Sequence, residues 1–187
     1  PFTAMSGHNS LNTLYEDRFC LGLGVSHIPL VTGRRGHTFG KPVATMRAYL
    51  EAMAAAEVDL KAPTQNIVLA ALGPRMLELS RDMTEGSLPY CVTPEHTVMA
   101  KEIMGPDKWL CVEQKIVFTE DESVARGVAA KNMARYLAMP NYVDNWLRIG
   151  FSERELEGGG NERFLDAMVR GGSEDPIRRG LQAHIDA

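Results

Sequence analysis

The sequence predicts an α/β fold in which helices cover a mostly parallel sheet. Three observations carry that expectation. Apolar runs of strand length alternate with amphipathic stretches of helix length. Two of those runs, FCLGLGV at 19–25 and IVLAAL at 67–72, hold no charge, as strands covered on both faces do. Pro42, Pro74 and Pro94 each stand where a helix would take its first residue. Two closures fit this pattern, an open doubly wound sheet and a (β/α)8 barrel. Local patterning does not separate them, and only about four strands are legible where a whole barrel takes roughly 250 residues.

Taken in order, residues 2–14 read as a helix and 19–25 as the first strand. A Gly/Arg-rich loop, 32–40, follows. Pro42 then opens a helix whose Val43, Met46, Tyr49, Leu50 and Met53 form one apolar stripe. Strand 67–72 runs through Gly73-Pro74 into a helix bearing Met76, Leu77, Leu79 and Ser80. SLPYCV, 87–92, is a third strand candidate. Thr93 and Pro94 start a helix expected to turn Val98, Met99 and Ile103 inward. WLCVEQKIVF, 109–118, reads as one fourth strand. Thr119 to Glu122 has the capping-box pattern for a long helix, and Ser152-x-x-Glu155 repeats it for a short one. Residues 140–151 read as an ordered connection and 157–161 as a glycine linker or lid hinge. Ser173 starts the last helix, with Ile177, Leu181 and Ile185 four apart.

Composition narrows the function classes. Twenty Lys and Arg against 24 Asp and Glu leave a formal charge of −4 and no basic run, which argues against a nucleic-acid partner. No apolar stretch approaches the length of a membrane span, and no signal-peptide pattern opens the chain. Three scattered cysteines supply neither a disulfide framework nor a zinc site; Cys20 and Cys111 read as small buried hydrophobes in a reducing, cytoplasmic setting. No metal ligand set is expected.

In either closure, ligands gather where strands end and loops begin. At the first strand end, Gly24-Val25-Ser26-His27 sets an imidazole where it either moves a proton near neutral pH or only braces the rim. At the second, Ala71-Leu72-Gly73-Pro74-Arg75 joins a buried strand to a helix through small residues. The helix amides and positive dipole end suit a phosphate there, with Arg75 adding charge; a tight turn that needs glycine is the plain alternative. Glu113, Gln114 and Lys115 put consecutive polar residues in a strand, one face of which looks either into a barrel lumen or to solvent.

The ordered segments FCLGLGVSH, GKPVATMRAYLEAM, VLAALGPRMLELSRDMTEGSLPY, TPEHT and GGSEDPIRRGLQAHIDA resemble the luciferase-like flavin and deazaflavin oxidoreductases. They are most similar to an actinobacterial subgroup regarded as dependent on coenzyme F-420. The resemblance covers nearly the whole chain. It implies a (β/α)8 TIM barrel of luciferase-like type, here partial. The chain would begin in the helix before the fourth strand and stop before the last one, as a single domain over residues 1–187. It also implies hydride transfer between an 8-hydroxy-5-deazaflavin (coenzyme F-420), or alternatively FMN, and a small organic substrate. By the same resemblance Gly24, Val25, Ser26, Ala71, Leu72, Gly73, Pro74 and Arg75 hold the cofactor, and His27 is the acid/base position, where relatives carry residues such as glutamate. A homodimer, with no nucleic-acid or membrane partner, is the expected assembly. A cofactor-free barrel remnant that serves as a binding or assembly subunit is the alternative.

Overall fold

A computed structural model describes residues 1–187. The chain divides into two compact units, residues 1–88 with 104–109 and residues 89–103 with 110–187.

In the first unit, β1 (Leu21–Leu23), β2 (Ile67–Leu69), β3 (Gly86–Ser87) and β4 (Trp109–Leu110) lie in that order in one sheet. β1 runs parallel to β2 with Leu21 opposite Ile67 and Leu23 opposite Leu69; β2 runs parallel to β3 with Leu69 opposite Ser87. Side chains alternate across a strand. Leu21, Leu23, Ile67 and Leu69 therefore share one face. There they meet α1 (Phe2–Leu14), α2 (Pro42–Ala54) and α3 (Pro74–Met83) through Met5, Met46, Leu50, Met53 and Leu79. The expected stripe of α2 is the one that packs. Gly86 is fixed by close approach, since a Cβ there would fall 2.3 Å from the Trp109 carbonyl oxygen. α1 buries polar residues: Asn12 Nδ2 donates to His8 Nε2 at 3.0 Å, so the His8 proton sits on Nδ1 and faces Asn9 Oδ1 at 3.0 Å.

In the second unit, β5 (Lys115–Phe118) pairs parallel with β6 (Val169–Gly172), Lys115 opposite Val169 and Phe118 opposite Gly172. Around this pair run α4 (Pro94–Met104), α5 (Glu122–Leu137), α6 (Pro140–Arg148), α7 (Glu153–Leu156), α8 (Glu162–Met168) and α9 (Glu174–Asp186). Its core is aromatic. Trp146 is fully buried, stands edge-on to Phe164 at 4.7 Å between centroids, and donates its indole N–H to the Cys91 carbonyl at 2.9 Å. Arg126 ties α5 to α8 by a bidentate pair with Asp166, at 3.0 and 2.9 Å, and a contact with Glu162 at 3.1 Å.

Several expectations change. β1 is covered on one face only, because Gly22 and Gly24 leave the other open, whereas β2 is buried throughout as its apolar run foretold. The strand at 87–92 shrinks to Gly86–Ser87: Pro89 lacks an amide donor, and Cys91 takes a left-handed φ of +54°. The strand at 109–118 breaks into β4 and β5 in separate sheets; between them the Glu113 amide donates to the Pro89 carbonyl at 3.2 Å. α4 buries His96, Thr97, Ala100 and Met104, while Val98 is exposed. Asp121, not Thr119, caps α5, its carboxylate accepting from the Ser123 and Val124 amides. Ser152 and Glu155 do form the reciprocal box. Residues 140–148 are a helix, 157–159 a 3-10 turn, and Asn161 caps α8. Cys91 is the buried cysteine and Cys20 is exposed.

α9 is anchored by His184, which receives the Thr97 hydroxyl at Nδ1 (2.8 Å) and donates from Nε2 to Gln114 Oε1 at 3.1 Å. Gln114 in turn gives its amide hydrogens to the Lys115 and Met168 carbonyls, both at 3.1 Å, which fixes its oxygen toward the imidazole. Burial, then the Arg170 charge, hold His184 below the ordinary histidine value, with Glu95 opposing. The folded state thus binds this proton less readily than the unfolded chain. The His184 contribution to stability is whole above about pH 6.5 and is lost as pH falls through that value toward the lower folded one. Urea titrations from pH 7.5 to 5 are expected to show this loss, reduced in His184→Gln; an equal slope in both proteins would contradict it. Leu69→Ala, at a fully buried site, is expected to cost about 2–5 kcal/mol by the same measurement.

Candidate active site at the strand ends

Parallel pairing of β1 and β2 puts their carboxyl ends side by side. The Ala70 amide donates to the Leu23 carbonyl at 2.8 Å, and the Leu88 amide to the Leu69 carbonyl at 2.7 Å. Gly24-Val25-Ser26-His27 and Ala71-Leu72-Gly73-Pro74-Arg75, proposed separately from the sequence, are therefore neighbours on one rim. A Cβ on Gly24 would meet the Ala70 Cβ at 3.1 Å, while Gly22 has nothing within 4 Å. Gly22, Gly24 and Ala70 are all exposed while Val68 is buried, so this face is open along β1 and just past the carboxyl end of β2.

The turn from β2 into α3 has the features the sequence implied. Gly73 is extended at φ −85° and ψ 155°, caps α3 without any side-chain hydrogen bond, and accepts the Met76 and Leu77 amides at 3.0 and 3.1 Å. Pro74 is the first helical residue. Ala71 is buried, Leu72, Gly73 and Pro74 are half-buried, and Arg75 is exposed. The amino end of α3 therefore presents positive partial charge unsatisfied by any side chain, next to a free guanidinium arm.

On the β1 side, Ser26 is left-handed at φ +63°, which turns the chain sharply after Val25. His27 is half-buried, and its carbonyl receives the Leu30 and Val31 amides, both at 3.0 Å. These bonds start a helical segment ending in the π-helical stretch Pro29–Arg34, where the sequence suggested only a loop.

A second polar constellation lies in the other unit, and sequence reasoning found half of it. Lys115 Nζ contacts both Glu113 carboxylate oxygens at 3.1 Å and Cys91 Sγ at 3.2 Å, and stands 3.7 Å above the Tyr90 ring centre. Tyr90 and Tyr136 share a hydroxyl hydrogen bond of 2.9 Å. Burial pushes the Cys91 thiol up to about 11, against the pull of Lys115. Burial alone would lower Lys115, but Tyr90, Cys91 and Glu113 hold its ammonium above the ordinary lysine value. Glu113 and Lys115 stood out as polar residues in an apolar run. Tyr90 and Cys91 carried no signal, because the sequence separation to Lys115 hides a contact made only by folding.

No family model matches the chain, and no curated protein sequence matches it. Among solved structures its fold is similar to that of the coenzyme F-420-dependent tetrahydromethanopterin reductase from Methanopyrus kandleri. The TM-score is 0.61 at 14% identity, over 100% of this chain and 70% of that one. At such identity the likeness is one of α/β fold alone, and a (β/α)8 barrel is not shown.

Ser26 tests the turn that aims His27. A left-handed serine costs roughly 1–2 kcal/mol that glycine does not. Ser26→Gly is expected to leave stability unchanged or slightly raised, and Ser26→Val to lower it, in thermal or denaturant unfolding. A stabilising valine would contradict the left-handed turn.

Proposed function

We propose that this chain carries the cofactor rim of a luciferase-like oxidoreductase that moves a hydride between a deazaflavin, with FMN as the alternative, and a small organic substrate. The observation that carries this reading is the joining of two strand ends into one rim, glycine-floored on one side and closed by an uncapped helix terminus on the other. A flat tricyclic ring fits against Gly22, Gly24 and Ala70, where side chains would stand in its way. Its phosphate fits the amino end of α3 at Leu72-Gly73-Pro74, with Arg75 in reach of the charge. The F-420 dependence of the structurally similar reductase supports the choice of deazaflavin.

When bound, the cofactor supplies the hydride chemistry. The protein then has three tasks on this rim. Ser26 edges the ring, while Val25 packs its side chain on the core of Met46, Leu50, Leu69 and Leu79 and so anchors the strand end. The α3 terminus fixes the tail and so the ring's register. His27 donates, accepts or orients a proton at the substrate, which an imidazole does without leaving the physiological pH range. In this reading the protein acts in the cytoplasm as a homodimer, with no nucleic-acid or membrane partner. No helix is long and apolar enough to cross a membrane.

One observation favours the assembly-subunit alternative. Ile116 and Phe118 on β5 are 51% and 74% exposed, side by side on one face, as a surface awaiting a partner would be. Fluorescence titration with coenzyme F-420 and with FMN decides between the readings. Saturable binding of one is expected, weakened about threefold to tenfold by Arg75→Ala and less sensitive to salt in that variant. His27→Ala is expected to keep cofactor binding and to lose turnover by about 100-fold or more. Turnover unchanged in that variant removes His27 from the chemistry. A folded chain that binds neither cofactor, but self-associates until Phe118→Lys abolishes it, supports the alternative.

A further inference from the structure

The constellation around Lys115 plays no part in the strand-end reading, yet it puts a thiol, an amine and a carboxylate in mutual contact. The Lys115 nitrogen is 3.2 Å from Cys91 Sγ and 3.1 Å from the Glu113 oxygens. Cys91 is held in place: it is 2% exposed, its φ is +54°, and its carbonyl is fixed by the Trp146 indole. Lys115 is held as well, being the first residue of β5 with its ammonium packed on Tyr90. A sulfur and a nitrogen so constrained need little motion to bond.

We propose that Cys91 and Lys115 form an intramolecular sulfenamide cross-link when a hydroperoxide oxidises the thiol. In the first step the thiol attacks hydrogen peroxide. The O–O bond breaks, sulfur gives up two electrons, and a sulfenic acid and one water result. In the second, Glu113 takes a proton from the Lys115 ammonium, and the freed nitrogen lone pair attacks sulfur. The S–N bond forms as the S–O bond breaks, and the departing hydroxide leaves as water with a proton from nitrogen. The net change is loss of two hydrogens from the protein and conversion of one peroxide to two waters. A dithiol reverses it, restoring thiol and amine. Condensation competes with further oxidation because the nitrogen already touches the sulfur and Glu113 already touches the ammonium it must deprotonate, whereas a second peroxide must arrive from solvent. Thiolate is scarce at this buried sulfur, so the reaction is slow beside that of a surface thiol. Cross-linking takes the positive charge off the Tyr90 ring and ties the start of β5 to the segment after β3.

The test uses the full chain carrying Cys20→Ser and Cys111→Ser, which leaves Cys91 as its one thiol. After exposure to millimolar hydrogen peroxide, intact-mass spectrometry is expected to show a species lighter by two hydrogens. Digestion is expected to give the Cys91 and Lys115 peptides joined, and dithiothreitol to part them. Glu113→Gln is expected to slow the change by about tenfold or more. Lys115→Arg, its fold checked by circular dichroism, is expected to abolish it. Cys91 recovered as sulfinic acid without linkage, a linked pair retaining an oxygen atom, or a thiol unchanged after prolonged exposure would each overturn the proposal. The principal measurement needs no variant at the cross-linked residues, so it stands whatever those variants do to folding.

Discussion

Pairing between β1 and β2 is the constraint on which the candidate site depends. Their register sets Leu21 and Leu23 level with Ile67 and Leu69, and all four go to the helix layer. Because successive residues face opposite ways, Gly22, Gly24, Val68 and Ala70 must then face the other side. A slip of one residue would send the glycines into the core and the leucines to the open face. The hydrophobic demand of α1, α2 and α3 therefore also sets Gly22, Gly24 and Ala70 on the opposite face, and it carries the two strand ends to a common level. Packing on one side of the sheet decides which residues line the other.

The second unit rests on a different device. Its two-stranded sheet is too small to organise a core, and the aromatic series Tyr136, Tyr142, Trp146 and Phe164 takes that part, with neighbouring ring centres 4.7 to 5.9 Å apart. The indole bond to the Cys91 carbonyl makes the left-handed backbone at Cys91 tolerable. Strain of this kind persists only where the surroundings over-determine the conformation. The reactive contact with Lys115 is thus a by-product of core packing, as the open rim is in the first unit.

Helices with a proline at the first position and a regular apolar stripe, such as α2 and α3, were legible because local chemistry settles them. β2 was legible for a related reason: Ile67, Val68 and Leu69 are all buried, so their apolar run needs no alternation. β1 misled, since its glycines read as core spacing when they are the open face. α6 was not expected although Pro140 has the same helix-starting place as Pro42 and its buried Tyr142, Asn145 and Trp146 sit at helical spacing over nine residues. The break between β4 and β5 was hidden because the backbone of Glu113 finds its partner at Pro89. The two rim segments were each legible as strand ends. Their adjacency followed from pairing order, which local patterning leaves open.

The proposed cofactor reading asks the rim to attract an anion to a protein of net charge −4. Net charge acts weakly across a screening distance of about 8–10 Å, whereas a helix terminus and a nearby guanidinium act at contact. The positive end of α3 and Arg75 lie on the β2 side of the rim. The segment leaving β1 carries Arg34 and Arg35, both exposed. The acidic surplus lies elsewhere: Glu120, Asp121 and Glu122 at the start of α5, and Glu174 and Asp175 at the start of α9, each oppose the positive end of a helix. In those helices an acidic side chain already occupies the favourable position. α3 begins Gly73-Pro74-Arg75 instead, with no acid in its first turn. α1, α2 and α6 also lack an acid there, so what singles out α3 in the proposed reading is its place at the end of β2 beside Arg75.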